Sequence, residues 1–247
     1  MRGEALTVVV TGATRGLGLA IARRLARSGY RVIGTGRKPT EEFLALCQPE
    51  GDVPAAAFVE LELGALPVVS EVGRQISKSY GPIYGLVNNA AIARDGVLAT
   101  LHHSEIEESV RVNVTGTLLF TKAMLRAILV TGKPGRIINI SSIVSHTGYN
   151  GLSVYAATKA AMIGFTHSLA REVGRAGITV NAIAPGYMST EMSSGLTEEQ
   201  MTSIRRRSPI GRLAEPDDVA NTVNFLLSSE AAGITGAVLT VDAGTTA

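Results

Sequence analysis

A chain of 247 residues that is 45% hydrophobic and 18% charged can bury one large α/β core and is too apolar for a disordered polymer. Its net charge of +2 argues against nucleic-acid or membrane-surface binding, and the lone Cys47 rules out an internal disulfide or a thiolate metal site. Met1–Leu6 is short and charged, with neither a signal-peptide core nor a transit pattern, and no apolar run reaches membrane-spanning length, so a cytoplasmic protein is expected.

Apolar β-branched runs alternate with helical patterns along the whole chain. Thr7 to Thr11 predicts a buried strand, followed by an amphipathic helix from Leu17 to Ser28 that ends at Gly29. Val32 to Thr35 and Ala56 to Leu61 predict two more strands, Val68 to Tyr80 a helix, and Ile83 to Asn88 a fourth strand. Cys47 is expected on a surface helix between the second and third strands. Ser104, with Glu107 three residues on, predicts a capping box opening a long helix that reaches about Thr131. Arg136 to Ser141 and Thr179 to Ala184 predict strands on either side of a helix from Val154 to Ala176. A helix over Val219 to Leu227 and a last strand over Val238 to Val241 complete the pattern.

Strands without polar alternation, each followed by a helix, predict a doubly wound parallel sheet of Rossmann type in one domain covering residues 1–247. Between Gly186 and Leu213 the rhythm breaks into a polar, Met-containing stretch. Lying beyond the carboxyl end of a strand, residues 186–213 are expected to form a substrate lid.

Thr11-Gly12-Ala13-Thr14-Arg15-Gly16-Leu17-Gly18 joins the first strand to the first helix. Three glycines there permit a tight turn, close backbone approach to a pyrophosphate, and tight packing of helix on sheet. The helix N-terminus adds unpaired N–H groups and the positive end of its dipole. The second strand ends in Gly34-Thr35-Gly36-Arg37-Lys38, where an NAD-binding site would carry an acid. Arg37 and Lys38, with Arg15, instead suit a 2′-phosphate, so NADP(H) is the expected cofactor and no metal is expected.

Tyr155 and Lys159 are i and i+4 and share one helix face, thirteen residues beyond Ser141-Ser142. An ammonium beside a phenol favours the phenolate, which would bring Tyr155 into range for proton transfer. The Ser142 hydroxyl would hold the substrate oxygen. Asn88-Asn89-Ala90-Ala91, Asn113 and Pro185-Gly186 complete an ordered set with the glycine turn.

This set resembles the short-chain dehydrogenase/reductase family over essentially the whole chain. The resemblance implies that Asn113, Ser142, Tyr155 and Lys159 are catalytic, with Lys159 also holding the nicotinamide ribose and Asn113 positioning a water that relays protons to Lys159. It also implies that Gly12, Thr14, Arg15, Gly16, Leu17, Gly18, Arg37, Glu62, Leu63, Asn89, Ala90, Pro185, Gly186 and Thr190 contact the cofactor. Of these, Glu62 would meet the adenine and Thr190 the nicotinamide carboxamide. Ala91 departs from the glycine usual in the family, and Glu62 is one methylene longer than the usual residue at its place.

Within the family, Ala93-Arg94-Asp95-Gly96, Leu169-Ala170-Arg171-Glu172-Val173, Gly177-Ile178-Thr179-Val180-Asn181 and Ile234-Thr235-Gly236 are most similar to 3-oxoacyl-acyl-carrier-protein reductases. The implied substrate is a 3-oxoacyl thioester, and an acidic carrier protein would dock on cations around the active-site mouth. Lys133 stands at one usual docking position; at the other, Ala176 has Arg175 beside it. A coenzyme A thioester, or a free ketone, alcohol, sugar or steroid, therefore stays open. Arg205-Arg206-Arg207 reads as a solvated helix face or an attractor of phosphates and acidic partners, and His146 as a wall of the substrate pocket. A non-catalytic NADP(H) sensor would be expected to lack Tyr155 or Lys159. The resemblance implies a homotetramer with the helix from Val154 at an interface, where Ala157, Ala160, Ala161 and Gly164 allow close approach.

Overall fold

The computed structural model describes residues 5–48, 55–188 and 198–247. Among them, seven parallel strands form one sheet in the order β3-β2-β1-β4-β5-β6-β7. The strands are β1 (Thr7–Thr11), β2 (Arg31–Gly36), β3 (Ala57–Glu60), β4 (Ile83–Asn88), β5 (Gly135–Ile140), β6 (Ile178–Pro185) and β7 (Val238–Val241). The helices are α1 (Gly16–Arg27), α2 (Glu41–Leu46), α3 (Leu66–Tyr80), α4 (His103–Val110), α5 (Thr117–Val130), α6 (Val144–Thr147), α7 (Ser153–Val173), α8 (Glu198–Arg207) and α9 (Pro216–Leu227).

The central strand shows why the sequence lacks polar alternation. Val8 and Val10 face a core formed with Ile21 and Leu25 of α1 and Val219, Val223 and Leu227 of α9. Val9, pointing the other way, joins Val69 of α3, Phe120, Met124 and Ile128 of α5, and Leu169 of α7. Successive side chains alternate between faces, and both faces are covered, so every position must be apolar. The expected doubly wound parallel sheet is what forms.

Several local expectations shift. The fourth helix is capped two residues earlier than Ser104: the Glu105 carboxylate accepts from the His102 backbone N–H at 3.1 Å. The helical run to Val130 is continuous but passes through a π-helical turn, Arg111–Gly116, that no sequence periodicity announces. By length and composition that run, His103–Val130, could cross a membrane; its apolar residues Phe120, Met124 and Ile128 instead lie fully buried against the sheet. Cys47 caps the short helix α2, whose Phe43 is completely buried. Part of the expected lid, residues 198–207, is the helix α8, while residues 189–197 lie outside the described residues.

Candidate active site

In a sheet of this order, chain direction of the crossovers reverses between β1 and β4, and the crevice at their carboxyl ends is where ligands bind. The glycine turn lies there. Gly16 has φ +52° with open space where a side chain would be, and Gly18 lies so close to the preceding turn that a Cβ would sit 1.9 Å from the Gly12 carbonyl oxygen. β4 ties down the same turn: Asn89 donates its amide to the carbonyls of Thr11 (2.9 Å) and Gly12 (3.2 Å). The Thr11 hydroxyl accepts from the backbone N–H groups of Asn89 and Ala90, both at 3.0 Å. The first turn of α1 contains no acid and has no side-chain cap bond, which suits its N–H groups and dipole to an anion.

Beyond β2, Arg37 and Lys38 are exposed beside this turn, held there by the Thr40 hydroxyl, which donates to the Thr14 carbonyl at 2.6 Å. The neighbouring carboxylates are both exposed: Glu60, the last residue of β3 and opposite Gly36, and Glu62, two residues beyond the strand end. Leu63 is buried, and its carbonyl lies against Gly116 of the π-helical turn. A glycine cradle, an open helix N-terminus and flanking cations fit a dinucleotide pyrophosphate with an added 2′-phosphate.

Four separate segments form the candidate catalytic corner. Ser142 follows β5, and its hydroxyl accepts from the Val144 N–H at 3.4 Å. Lys159 of α7 is buried, donating from Nζ to the Ile140 carbonyl at 2.8 Å. That Nζ lies 5.6 Å from the centre of the Tyr155 ring, so the i, i+4 pairing expected on one helix face is realised. The Ser141 hydroxyl donates to the Lys159 carbonyl at 2.9 Å, fixing α7 to the strand end.

Asn113, buried within the π-helical turn, spends its amide on other groups. Its oxygen accepts from the Ile92 N–H at 2.8 Å, and its nitrogen donates to the Ile92 carbonyl (2.8 Å) and the Thr158 hydroxyl (3.1 Å). Thr158 in turn donates to the Tyr155 carbonyl at 2.8 Å. The side chain of Asn113 therefore positions Tyr155 and the loop after β4, without touching Lys159. Thr158 was passed over in the sequence because a threonine in a helix carries no signal by itself; only its neighbours on both sides give it a role.

The electrostatics reverse one sequence expectation. Burial, with Asp95 second, pushes the Tyr155 phenol up to about 12, rather than the ammonium drawing it down. Burial also brings Lys159 down to about 8. Desolvation outweighs the pairing because both groups are enclosed by protein. At neutral pH the corner thus holds a neutral phenol beside a charged ammonium.

Of the other expected positions, Pro185 accepts from the Ile143 N–H at 3.0 Å, joining β6 to the segment bearing Ser142. Gly186 lies against Asp242, where a Cβ would come within 2.6 Å of the Asp242 Cβ. Thr190 lies outside the described residues. His146 is exposed and meets Ser145 at 3.4 Å. Lys133 and Arg175 are exposed but precede β5 and β6, whereas Ser142 follows β5. A six-residue strand separates the two ends by about 20 Å, so these cations do not flank the mouth of the same chain's site. Arg205, Arg206 and Arg207, exposed on α8, follow the carboxyl end of β6 instead.

A buried amide network behind the corner escaped the sequence reading as well. Asn88 donates to Thr121 and to Asn139, each at 2.8 Å, and Asn139 donates to Thr166 at 2.8 Å. These bonds join β4 and β5 to α5 and α7. An asparagine inside an apolar strand run, as in Ile137-Ile138-Asn139-Ile140, was the available signal.

Comparison with known proteins agrees with this geometry. The sequence model of the family described as enoyl-(acyl carrier protein) reductase matches residues 12–246. A 3-oxoacyl-[acyl-carrier-protein] reductase of Vibrio cholerae is 40% identical over 244 residues, covering 99% of this chain and 98% of that protein. The reductase of the same name from Escherichia coli is 41% identical over 246 residues, with 99% and 98% covered. Among solved structures, an NAD(P)-dependent gluconate 5-dehydrogenase of Beutenbergia cavernae with bound NADP superimposes with a TM-score of 0.91 at 34% identity, covering 97% of this chain and 96% of that one. A variant actinorhodin polyketide ketoreductase with NADPH gives 0.88 at 34% identity, covering 98% and 97%. The chain belongs to the short-chain dehydrogenase/reductase family.

Proposed function

We propose that the chain is an NADPH-dependent reductase that converts a 3-oxoacyl thioester to the 3-hydroxyacyl product. The observation that carries this reading is the juxtaposition of Ser142, a neutral Tyr155 phenol and a charged Lys159 at the carboxyl end of β5. Relatives about 40% identical over nearly the full chain bear the name of that activity. Bound NADPH supplies the hydride. Arg15, Arg37 and Lys38 hold its 2′-phosphate, the N-terminus of α1 its pyrophosphate, and Lys159 its nicotinamide ribose. Thr14, Gly16, Leu17, Glu62, Leu63, Asn89 and Ala90 line the rest.

The Ser142 hydroxyl holds the ketone oxygen in place. As negative charge develops there, Tyr155 donates its phenolic proton to it, and the Lys159 ammonium stabilises the phenolate left behind. Asn113 acts as a positioning residue through Thr158 and Ile92. In this reading Ser142 and Tyr155 bind and protonate an oxygen. An enoyl thioester, the substrate in the matching family's description, takes its proton on carbon.

The chain then works as one catalytic domain over residues 1–247, in the cytoplasm, and of the expected lid the helix α8 covers the acyl site. A carrier-linked substrate would meet the three arginines at the end of α8. A homotetramer with α7 at an interface fits the exposed small face of Ala157, Ala160, Ala161 and Gly164.

The test is loss of NADPH absorbance with a 3-oxoacyl thioester, run beside an enoyl thioester and a simple ketone, and repeated with NADH. Fast oxidation of NADPH on the 3-oxoacyl thioester is expected. Turnover confined to the simple ketone, or to NADH, would discard the substrate or the cofactor in turn.

A further inference from the structure

The chain leaves β6 at Gly186, and α8 gives way to Ser208 and Pro209; both places rest on one turn, residues 242–246, that follows β7. At the first, the Gly186 N–H donates to the Val241 carbonyl at 2.9 Å, and Gly186 lies directly against Asp242. At the second, the buried Ser208 hydroxyl donates to the Ala243 carbonyl at 2.7 Å. Gly244 lies so close to Pro209 that a Cβ there would meet the proline ring at 2.6 Å.

The turn does not take this shape by preference. Ala243 has φ +56°, and among the described residues no other non-glycine residue has a positive φ. An L-residue so placed is strained and persists only where its surroundings over-determine it. Here the surroundings are the Asp242 carboxylate, buried at the end of β7. Its Oδ1 accepts from the Gly244 N–H at 2.8 Å. Its Oδ2 accepts from the Thr246 N–H (2.8 Å), the Thr246 hydroxyl (2.7 Å) and the Thr245 hydroxyl (3.0 Å). Burial opposes the charge, but the bonds from Thr246, Gly244 and Thr245 outweigh it and hold the carboxyl below its ordinary range. An ionised carboxylate only accepts, which is what four donors require. The strain falls on the residue whose carbonyl receives Ser208, so the costly conformation is the one that holds the end of α8.

We propose that Asp242 is a positioning residue for the reduction: by fixing the turn 242–246 it sets where α8 lies over the acyl site, and so how tightly a long acyl chain is bound. This inference rests on the reading above that α8 covers that site.

The experiment uses Asp242→Asn, which keeps the shape and the contact with Gly186 but cannot accept all four bonds. Ser208→Ala, which removes only the bond from the end of α8, keeps the proposal testable if the first variant folds poorly. The probes are the N-acetylcysteamine thioesters of 3-oxobutanoate and 3-oxodecanoate. In Asp242→Asn, KM for the long probe should rise about tenfold, while KM for the short one, KM for NADPH and kcat stay within about twofold. Ser208→Ala should move the same way by about threefold. An equal change on both probes, or none, overturns the assignment. Trypsin supplies a readout independent of turnover, since Arg205, Arg206 and Arg207 are exposed on α8. Cleavage there, relative to the exposed Arg27 and Arg175, should speed up about tenfold in Asp242→Asn. Parallel acceleration at every site would mean a general loss of stability and also overturns it, as does unchanged cleavage. Faster cleavage at α8 without any effect of acyl length upholds the anchoring and overturns instead the placement of α8 over the acyl site. An unaltered enzyme inactive on both thioesters overturns the substrate reading, and trypsin then decides the role of Asp242 by itself.

Discussion

The glycine turn and the candidate catalytic corner lie at the same edge of the sheet but are built differently. The turn is a stretch of seven consecutive residues, Gly12 to Gly18, braced by the Thr11 and Asn89 bonds at its base. Nearly all of its geometry is main chain. The corner draws on the loop after β4, the π-helical turn, the end of β5 and α7, and its chemistry depends on how deeply side chains are enclosed. Sequence spacing fixes the first because its parts are neighbours in the chain. It only nominates the second, because enclosure is a property of the packed fold.

Gly18→Ala tests the turn and should have the largest effect. Its methyl would stand 1.9 Å from the Gly12 carbonyl oxygen and 2.6 Å from the Asn89 amide nitrogen, both held by the bonds that shape the turn. The turn must open, costing about 1–3 kcal/mol of stability and weakening NADPH binding on the order of 100-fold. Fluorescence titration with NADPH and urea denaturation read the two. Wild-type affinity in this variant would mean that the cofactor does not approach the backbone here.

The corner is tested by pH. Lys159, at about 8, loses its charge well below the ordinary lysine value of about 10.4. Above about 8, log kcat/KM for reduction should therefore fall with a slope approaching one, while Tyr155, at about 12, keeps its proton throughout. Stability moves the other way. From about 8 to about 10.4 the unfolded chain still binds a proton at this lysine and the folded chain does not, so the Lys159 contribution rises with pH. The raised phenol of Tyr155 works against stability only above its ordinary value of about 10. Activity lost between these limits is thus not unfolding, and circular dichroism across the range should stay native. A rate profile flat to pH 10 would mean that the Lys159 charge is not needed.

The fold was legible because β1, β4, β5 and β6 are apolar on both faces, and the parallel, doubly covered sheet follows from that. The cofactor turn was legible for the same reason of locality. What stayed hidden has a common cause. The π-helical turn around Asn113 changes backbone bonding without changing the hydrophobic period. The His102 cap displaced Ser104 because either residue can precede an amphipathic run. The direction of the Tyr155 shift could not be read from its spacing to Lys159: that spacing gives the distance between the two groups and says nothing about the water each has lost. Lys133 matched a docking position by alignment with a pattern, but strand direction put it at the far end of the sheet.

Thr158 gives the smallest and sharpest test of this distinction. Its hydroxyl accepts from Asn113 and donates to the Tyr155 carbonyl, so it links the π-helical turn to the helix that carries Tyr155, the proposed proton donor. Thr158→Val keeps the shape, removes both bonds, and leaves one Asn113 N–H unpaired in a buried position. Asn113 keeps its two bonds to Ile92, so the corner should loosen rather than collapse. A stability loss of about 1–2 kcal/mol is expected by urea denaturation, with kcat reduced roughly three- to tenfold. KM for NADPH should stay unchanged, because none of these bonds reaches the glycine turn. If kcat and stability both matched the unaltered enzyme, Asn113 would be held by Ile92 alone and Thr158 would be a bystander. If KM for NADPH rose along with the loss of kcat, the two regions would be one mechanical unit after all.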